Sequence, residues 1–360
     1  MNILIFTNSD SSMNSLRPEA EMFIGFAKAG HQVTIVTALD SECGQIYRSQ
    51  GIKVIDCQPK KKICLDSIRT VRRELKTNHY DVLYATNSKS IPNGAFASLG
   101  LDVKLVTYRG TTGGLYRHDP SAYLTHLHPR VDGIVCVSEA VREDVLKRVW
   151  KNKDKVVAIH KGHNLDWYDT PPADLSEFGI TNMDFTVICA VNARPSKGIP
   201  VLLQAMDQLA DIPALHLLLV GKNMTQYDDL IRQNRLLSRI HVLGYRHDVP
   251  ALITASDVLV QPSISGEGLP RAVMESMACG TPPVITTTGG GKEVVENGVT
   301  GFVVPTGNPK AITEKIRFLY DNPGIVQRMS VACRKKIKEE YSCQQSTKHY
   351  LKFFKALVAS

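Results

Sequence analysis

The chain has 360 residues, 43% of them hydrophobic and 22% charged, which suits two globular domains and excludes a disordered tail, a collagen or a coiled coil. Its net charge of +8 is uneven: residues 1–168 hold 23 Lys and Arg against 17 Asp and Glu, and residues 169–360 hold 20 against 18. Such a balance suits phosphorylated small molecules, nucleic acid or an anionic membrane surface without choosing among them. No stretch approaches the roughly 18 apolar residues of a membrane helix. The opening MNILIFTNSD reads as a first strand rather than a signal peptide.

Short β-branched runs predict strands at 2–7, 32–37, 52–57, 81–86, 104–108, 133–137 and 155–160, then at 185–191, 215–220, 239–243, 257–261, 283–286 and 301–304. Between them lie helix signals. Pro18, with Glu19 and Glu21 in the first turn, opens a helix that Gly30 closes. In 60–76, Ile63, Leu65, Ile68, Val71 and Leu75 form an approximately helical stripe beside seven Lys and Arg. This is either a surface helix able to meet anionic lipid or a core-packed helix with a solvated basic face. Ser196 can cap a helix over 196–209, Pro270 opens another that Gly280 stops, and 335–358 is helical. The Pro- and Asp-rich segment 163–184 is the best linker.

Continuous apolar strands imply burial on both faces, and alternation with helices implies parallel sheets. The expected architecture is α/β, with two doubly wound, Rossmann-like domains. One spans 1–165 together with a C-terminal helix at about 342–360, and the other spans 166–341. Ligands of such sheets lie outside the carboxyl ends of the strands, so the cleft between the domains is the expected site.

Eight scattered cysteines with no C-x-x-C read as reduced, mostly buried small hydrophobes. No G-x-G-x-x-G follows the first strand, and no P-loop, H-E-x-x-H, G-x-S-x-G or D-x-D occurs. His126-x-His128 and His160-x-x-His163 read as loop and surface histidines rather than metal ligands.

The richest stretch is 261–305. After a strand ending at Gln261, Glu267-Gly268-Leu269-Pro270 leads into a helix whose first turn offers N–H groups and a positive dipole end to an anion. Glu267 and Glu275 lie eight residues apart, and Thr288-Gly289-Gly290-Gly291 follows the next strand. Arg194 and Lys197 follow the strand 185–191.

These segments resemble the family 4 glycosyltransferases, retaining enzymes of the GT-B fold with an E-x7-E motif. The resemblance rests on EGLPRAVMESMACGTPPV, the Thr-Gly-Gly loop and NGVTGFVVP, with NARPSKGIPVLLQAM and LGYRHDVPALITASDVLVQPS upstream. It implies a glycosyltransferase that takes a nucleotide-sugar, UDP-linked, as co-substrate and needs no cofactor or metal. Arg194 and Lys197 would clamp the diphosphate, with Arg194, Lys197 and Glu267 as the catalytic set. Glu267 would approach the donor sugar and Glu275 the ribose. Backbone N–H groups of Gly268, Leu269 and Arg271 would hold oxygens, Pro270 having none to offer. The base would be read around Gly244 and Tyr245, where Tyr245 either stacks or packs within its loop.

The first half departs from the family pattern. The expected glycine loop is Ser11-Ser12-Met13-Asn14-Ser15, and a His expected after the fourth strand is about Thr86. Asn14, Arg17, Arg109, Gly110 and Thr111 are the acceptor candidates. Arg109 could meet an acidic group or serve its own strand end. The implied acceptor is a glycan, a lipid-linked glycan or a small molecule in cell-surface polysaccharide or glycoconjugate synthesis. The implied location is cytoplasmic, either free or peripheral at the inner membrane face through 60–76, with no nucleic-acid partner. Competing readings are a GT-B-fold nucleotide-sugar epimerase and a non-catalytic nucleotide-sugar-binding subunit.

Overall fold

The structure, a computed structural model, describes residues 1–8 and 13–360, with the backbone alone at 13–15. The chain forms two compact units, one of Met1–Gly162 with Tyr341–Ser360 and one of His163–Glu340.

The first unit is built on seven parallel strands: β1 (Asn2–Phe6), β2 (Gln32–Thr37), β3 (Lys53–Asp56), β4 (Val82–Ala85), β5 (Lys104–Arg109), β6 (Gly133–Cys136) and β7 (Val156–Ala158). Their order is β3-β2-β1-β4-β5-β6-β7. Ile3, Leu4, Ile5 and Phe6 are fully buried, because helices cover both faces of the sheet. The order reverses between β1 and β4, which leaves a crevice outside their carboxyl ends.

One face of this sheet is closed by the last helix, Cys343–Val358. Tyr350 and Phe354 are fully buried and meet Phe26 and Tyr84 with ring centroids 5.7 to 6.1 Å apart. Tyr84 Oη donates to Tyr350 Oη at 3.2 Å, so the buried phenols satisfy each other.

The second unit holds β8 (Phe185–Ala190), β9 (Leu215–Val220), β10 (Ile240–Gly244), β11 (Val258–Gln261), β12 (Pro283–Thr286) and β13 (Phe302–Val304). All are parallel, in the order β10-β9-β8-β11-β12-β13. Here the reversal falls between β8 and β11.

Several local expectations need correction. The first helix runs Met13–Lys28, so Pro18 lies inside it rather than opening it. Ser196 does not cap the next helix. Pro195–Lys197 form a 3-10 turn, and Gly198, at φ +68°, leads into the helix Ile199–Asp207. The helical segment 335–358 spans the end of one helix, Pro323–Glu340, and the whole of another, Cys343–Val358, which matches the C-terminal helix expected at about 342–360; Ser342 accepts from Gln345 N to cap it. The supposed linker is packed: Tyr168 and His163 are buried, and Ala173 N donates to Ala251 O at 3.0 Å.

The basic segment forms the helix Leu65–Thr77. Val71 and Leu75 are buried and Ile68 packs beside them in the core, which leaves only Ile63 and Leu65 of the apolar stripe exposed, next to Lys60, Lys61 and Lys62. Most of the stripe therefore serves the fold. No described helix is long and apolar enough to cross a membrane.

Phe354→Ala removes the ring that fills the space between Phe26 and Tyr84. It should cost about 3–5 kcal/mol and lower the thermal midpoint of the first unit clearly. Differential scanning calorimetry of the variant checks this, and an unchanged midpoint would contradict the packing described.

Candidate functional site

The reversal in the second sheet places two loops side by side, the one after β8 carrying Arg194 and Lys197 and the one after β11 carrying Glu267. Ile264 N donates to Ser196 O at 2.8 Å, which ties the loops together. Gly198 adopts a left-handed conformation, and a Cβ there would overlap the Pro262 carbonyl oxygen. Only glycine lets the backbones approach this closely.

The tie brings Lys197 Nζ to 2.5 Å from Glu267 Oε1, across 70 residues of sequence. Glu267 is buried and the Lys197 side chain is 23% exposed. Ser263 Oγ donates to the same carboxylate oxygen at 2.5 Å and Gln261 Nε2 at 3.2 Å, while Gln261 Nε2 also donates to Ser263 Oγ at 2.8 Å. Three donors on one oxygen fix the rotamer of Glu267, and through it the position of the ammonium. Gln261 Oε1 is buried with no hydrogen-bond partner among the described residues. Arg194, at the start of the same turn, is exposed.

The glycine-rich loop after β12 closes on this pair. Gly290 N donates to Gly268 O at 2.7 Å, and a Cβ on Gly289 would overlap the backbone of Glu267. Thr286 and Thr288 hydroxyls donate to Ser263 O at 2.6 and 3.1 Å. Leu269 is half-buried, Pro270 is buried, and the helix Arg271–Cys279 starts directly after them with no acidic residue in its first turn. That N-terminus keeps its positive dipole end uncompensated by its own side chains.

Glu275 sits one turn on, with Arg271 Nε 3.0 Å from its Oε1. Burial pushes the Glu275 carboxyl above the usual carboxylate range, and Arg271 pulls it back. The neighbouring His163 is buried and accepts from or donates to Tyr168 Oη at 2.6 Å. Burial, with Arg271 nearby, lowers it to about 3, so it is neutral at pH 7.

At the other side of β8, Gly244 lies in a left-handed conformation and its carbonyl accepts from Gly221 N at 2.7 Å. Tyr245 is half-exposed. Lys222 Nζ lies over its ring, 4.7 Å from the centroid, and His247 meets its edge. Lys222 carries no motif of its own, but its place directly after β9 and Gly221 was a signal for a carboxyl-end position.

In the first unit, Ser11 and Ser12 lie outside the described residues, and Asn14 belongs to the helix Met13–Lys28. Arg17 is half-buried in that helix. Arg109 turns onto its own loop: Nε donates to Thr111 O at 3.0 Å and a terminal nitrogen to Gly113 O. Gly113 N in turn donates to Asp144 at 2.8 Å. Of the two readings open for Arg109, this geometry matches the strand-end role. Gly110 is half-buried and Thr111 exposed in the loop that Arg109 holds.

The carboxyl ends of β1 and β4 carry a polar cluster that the sequence did not signal. Thr86 Oγ1 donates to Thr7 Oγ1 at 2.7 Å, Thr7 Oγ1 to Glu19 Oε1 at 3.2 Å, and Lys161 Nζ to Glu19 Oε2 at 2.6 Å. Lys161 also lies over the Tyr108 ring, 4.2 Å from its centroid. The anion beside it raises the Lys161 pKa against the opposing effect of burial.

Two family models match the chain, Glycosyltransferase Family 4 over residues 20–167 and Glycosyl transferases group 1 over residues 173–339. An uncharacterized glycosyltransferase of Methanocaldococcus jannaschii is 26% identical over 262 residues, 68% of this chain and 66% of that protein. The Escherichia coli UDP-Gal:alpha-D-GlcNAc-diphosphoundecaprenol alpha-1,3-galactosyltransferase is 26% identical over 217 residues, 57% of this chain and 55% of that protein. The chain thus spans less than two thirds of the length of either relative. Among solved structures, a Rickettsia africae glycosyltransferase superposes with a TM-score of 0.82 at 20% identity, covering 99% of this chain and 98% of that one. Anabaena HepE in complex with UDP gives 0.81 at 20% identity, covering 99% and 100%. The fold is that of the GT-B glycosyltransferases.

Gly198→Ala should cost about 1–2 kcal/mol from handedness alone, more with the Pro262 overlap, and should separate the two loops. The checks are thermal denaturation and UDP binding by calorimetry. A variant with the wild-type midpoint and affinity would contradict the close approach.

Proposed function

We propose, from the premise that this chain belongs to the family 4 glycosyltransferases, that it moves a sugar from a UDP-linked donor to a glycan, lipid-linked or small-molecule acceptor, with retention of configuration and without a metal ion. The observation that carries the proposal is the Lys197–Glu267 pair at the switch point between β8 and β11.

Cleaving a nucleotide-sugar builds negative charge on the β-phosphate. Fixed positive groups that meet this charge lower the barrier, because they need not reorganise as the bond breaks. Lys197 gives one N–H to Glu267 and keeps two for phosphate oxygens. Exposed Arg194 can bind two oxygens at once. The amides at the start of the helix Arg271–Cys279 add a third positive element. These groups can offset the leaving charge without a divalent cation. Retention is expected from membership of the family; attack on the same face, with the leaving phosphate accepting the acceptor's proton, needs no protein nucleophile–base pair.

Glu267 then has a revised first duty. It holds Lys197 in place, and its carboxylate is also within reach of a sugar hydroxyl that binds beside the ammonium. Glu275, buried beside Arg271, serves the ribose hydroxyls. Tyr245, with Lys222 over its ring, flanks the uracil. UDP as the nucleotide is supported by the HepE complexes with UDP and UDP-glucose and by the UDP-Gal donor in the name of the Escherichia coli relative.

Acceptor recognition is assigned to the first unit, at the carboxyl ends of β1 and β4. Glu19 and Lys161 offer hydrogen bonds there, Glu19 on the helix that carries Asn14 and Arg17, and Lys161 over the ring of Tyr108, two residues before Gly110. The exposed Lys60–Lys62, Ile63 and Leu65 suit a shallow contact with an anionic membrane surface, consistent with a cytoplasmic enzyme that reaches lipid-linked acceptors.

The test is release of free nucleotide from UDP-glucose, UDP-galactose, UDP-GlcNAc and GDP-mannose, with the anomeric configuration of the product read by NMR. UDP-sugars should turn over, the product should keep the donor's configuration, and EDTA should leave the rate unchanged. Lys197→Ala should lower kcat by about 10²–10³-fold, and Glu275→Ala should mainly raise the donor KM. Full turnover by Lys197→Ala would overturn the role given to this lysine.

A further inference from the structure

A cavity of about 280 Å³ opens within the first unit, at the beginning of β6 and β7. Its lining comes from 123–134, before and at the start of β6, and from 149–156, before and at the start of β7. It therefore sits at the amino-terminal edge of the sheet, opposite the carboxyl ends that hold Thr7, Thr86 and Lys161.

Two rings and two ammonium groups set its chemistry. Trp150 and Tyr123 line it and are 65% and 38% exposed, a large apolar surface to leave in water. Arg117 lies 4.9 Å from the Trp150 ring centroid, and its Nε donates to Arg148 O at 2.8 Å, which steadies that ring. Lys151 and Lys155 also line the cavity. They belong to the run 147–155, KRVWKNKDK, with five cations and a single acid.

Among the described residues, the one carboxylate in the lining, Asp132, is already compensated. Its Oδ2 accepts from Leu105 N at 2.7 Å and meets Arg130 at 2.5 Å. His126 accepts from or donates to Thr107 and is held neutral by burial, at about 3. His128 is likewise lowered by burial. The free field in the cavity is therefore that of the two lysines.

We propose that this cavity is a second binding site, for an acidic saccharide whose ring lies against Trp150 and Tyr123 while its carboxylate or phosphate meets Lys151 and Lys155. A bare anion would leave both rings in water, and a neutral sugar would leave the Lys151 and Lys155 charges uncompensated, Lys155 Nζ having, among the described residues, only its bond to Ser360 Oγ at 3.2 Å. The volume lies near the lower end of small-ligand pockets and admits a short saccharide. Placed away from the acceptor positions, the site would hold a remote part of an acidic glycan rather than its reacting end.

The chain has two tryptophans, so Trp167→Phe leaves Trp150 as the only indole reporter. Its emission is titrated with trigalacturonate, glucose 6-phosphate and the neutral maltotriose at low ionic strength. At least one acidic probe should give a saturable shift, maltotriose none, and Lys151→Gln/Lys155→Gln should weaken the binding at least ten-fold. The proposal is overturned by no saturable response to either acidic probe, by an equal response to maltotriose, or by full affinity in the double variant. If vesicles of phosphatidylglycerol and phosphatidylcholine shift Trp150 while both acidic sugars leave it unmoved, the surface is a membrane contact and the saccharide assignment fails. The readout is binding alone and needs no turnover, so its failure leaves the proposed transferase activity untouched.

Discussion

One ion pair organises the second unit. Lys197 and Glu267 sit on different loops, and neither side chain would hold its place alone. A largely buried carboxylate without its cation is costly; breaking a buried pair by removing one member commonly costs about 3–5 kcal/mol. The glycine contacts at Gly198 and Gly289, the threonine bonds to Ser263 O and the hydrogen bonds from Ser263 and Gln261 all bring the loops close enough to make this pair. The result is a positioned ammonium at the one point where the strand order of the sheet reverses. The pair also carries little net charge, so the added attraction for a diphosphate comes from Arg194 and the helix N-terminus, while Lys197 contributes direction.

The same topological rule gives the first unit its own crevice between β1 and β4. There the cluster is Thr7, Thr86, Glu19 and Lys161, again a lysine held by a glutamate. Stability in that unit comes from elsewhere. The final helix returns to bury Tyr350 and Phe354 against Phe26 and Tyr84, so the last residues complete a core begun by the first strand. Each unit thus separates the apolar layers that hold it together from the loop ends that present polar groups.

The strands were legible because continuous apolar runs such as ILIF and LHLLLV leave few alternatives, and each predicted run overlaps a strand of the structure, β5 and β10 extending one residue past theirs. Helix starts were less so. Pro18 is a favoured first residue, yet the helix begins upstream at Met13, and Ser196 is a good cap that the tight turn to Gly198 makes unnecessary. The break at Tyr341–Ser342 falls where the C-terminal helix was expected to start, at about 342, although the apolar pattern of 335–358 runs through it. Glu267, Glu275, Arg194 and Lys197 stood out only through the combined motif blocks, since two glutamates eight apart mean nothing alone. Partners that meet only on folding had no sequence signal. Lys161 finds Glu19 across 142 residues, and Lys222 finds Tyr245 through adjacent strand ends. Arg271–Glu275, by contrast, follows from helical spacing.

The most direct test of the central claim is a crystal structure of the chain with UDP bound. The β-phosphate should lie within hydrogen-bonding distance of Lys197 Nζ, with Lys197 still paired to Glu267 and the ribose beside Glu275. Nucleotide bound with its phosphates away from the Lys197–Glu267 pair would contradict it.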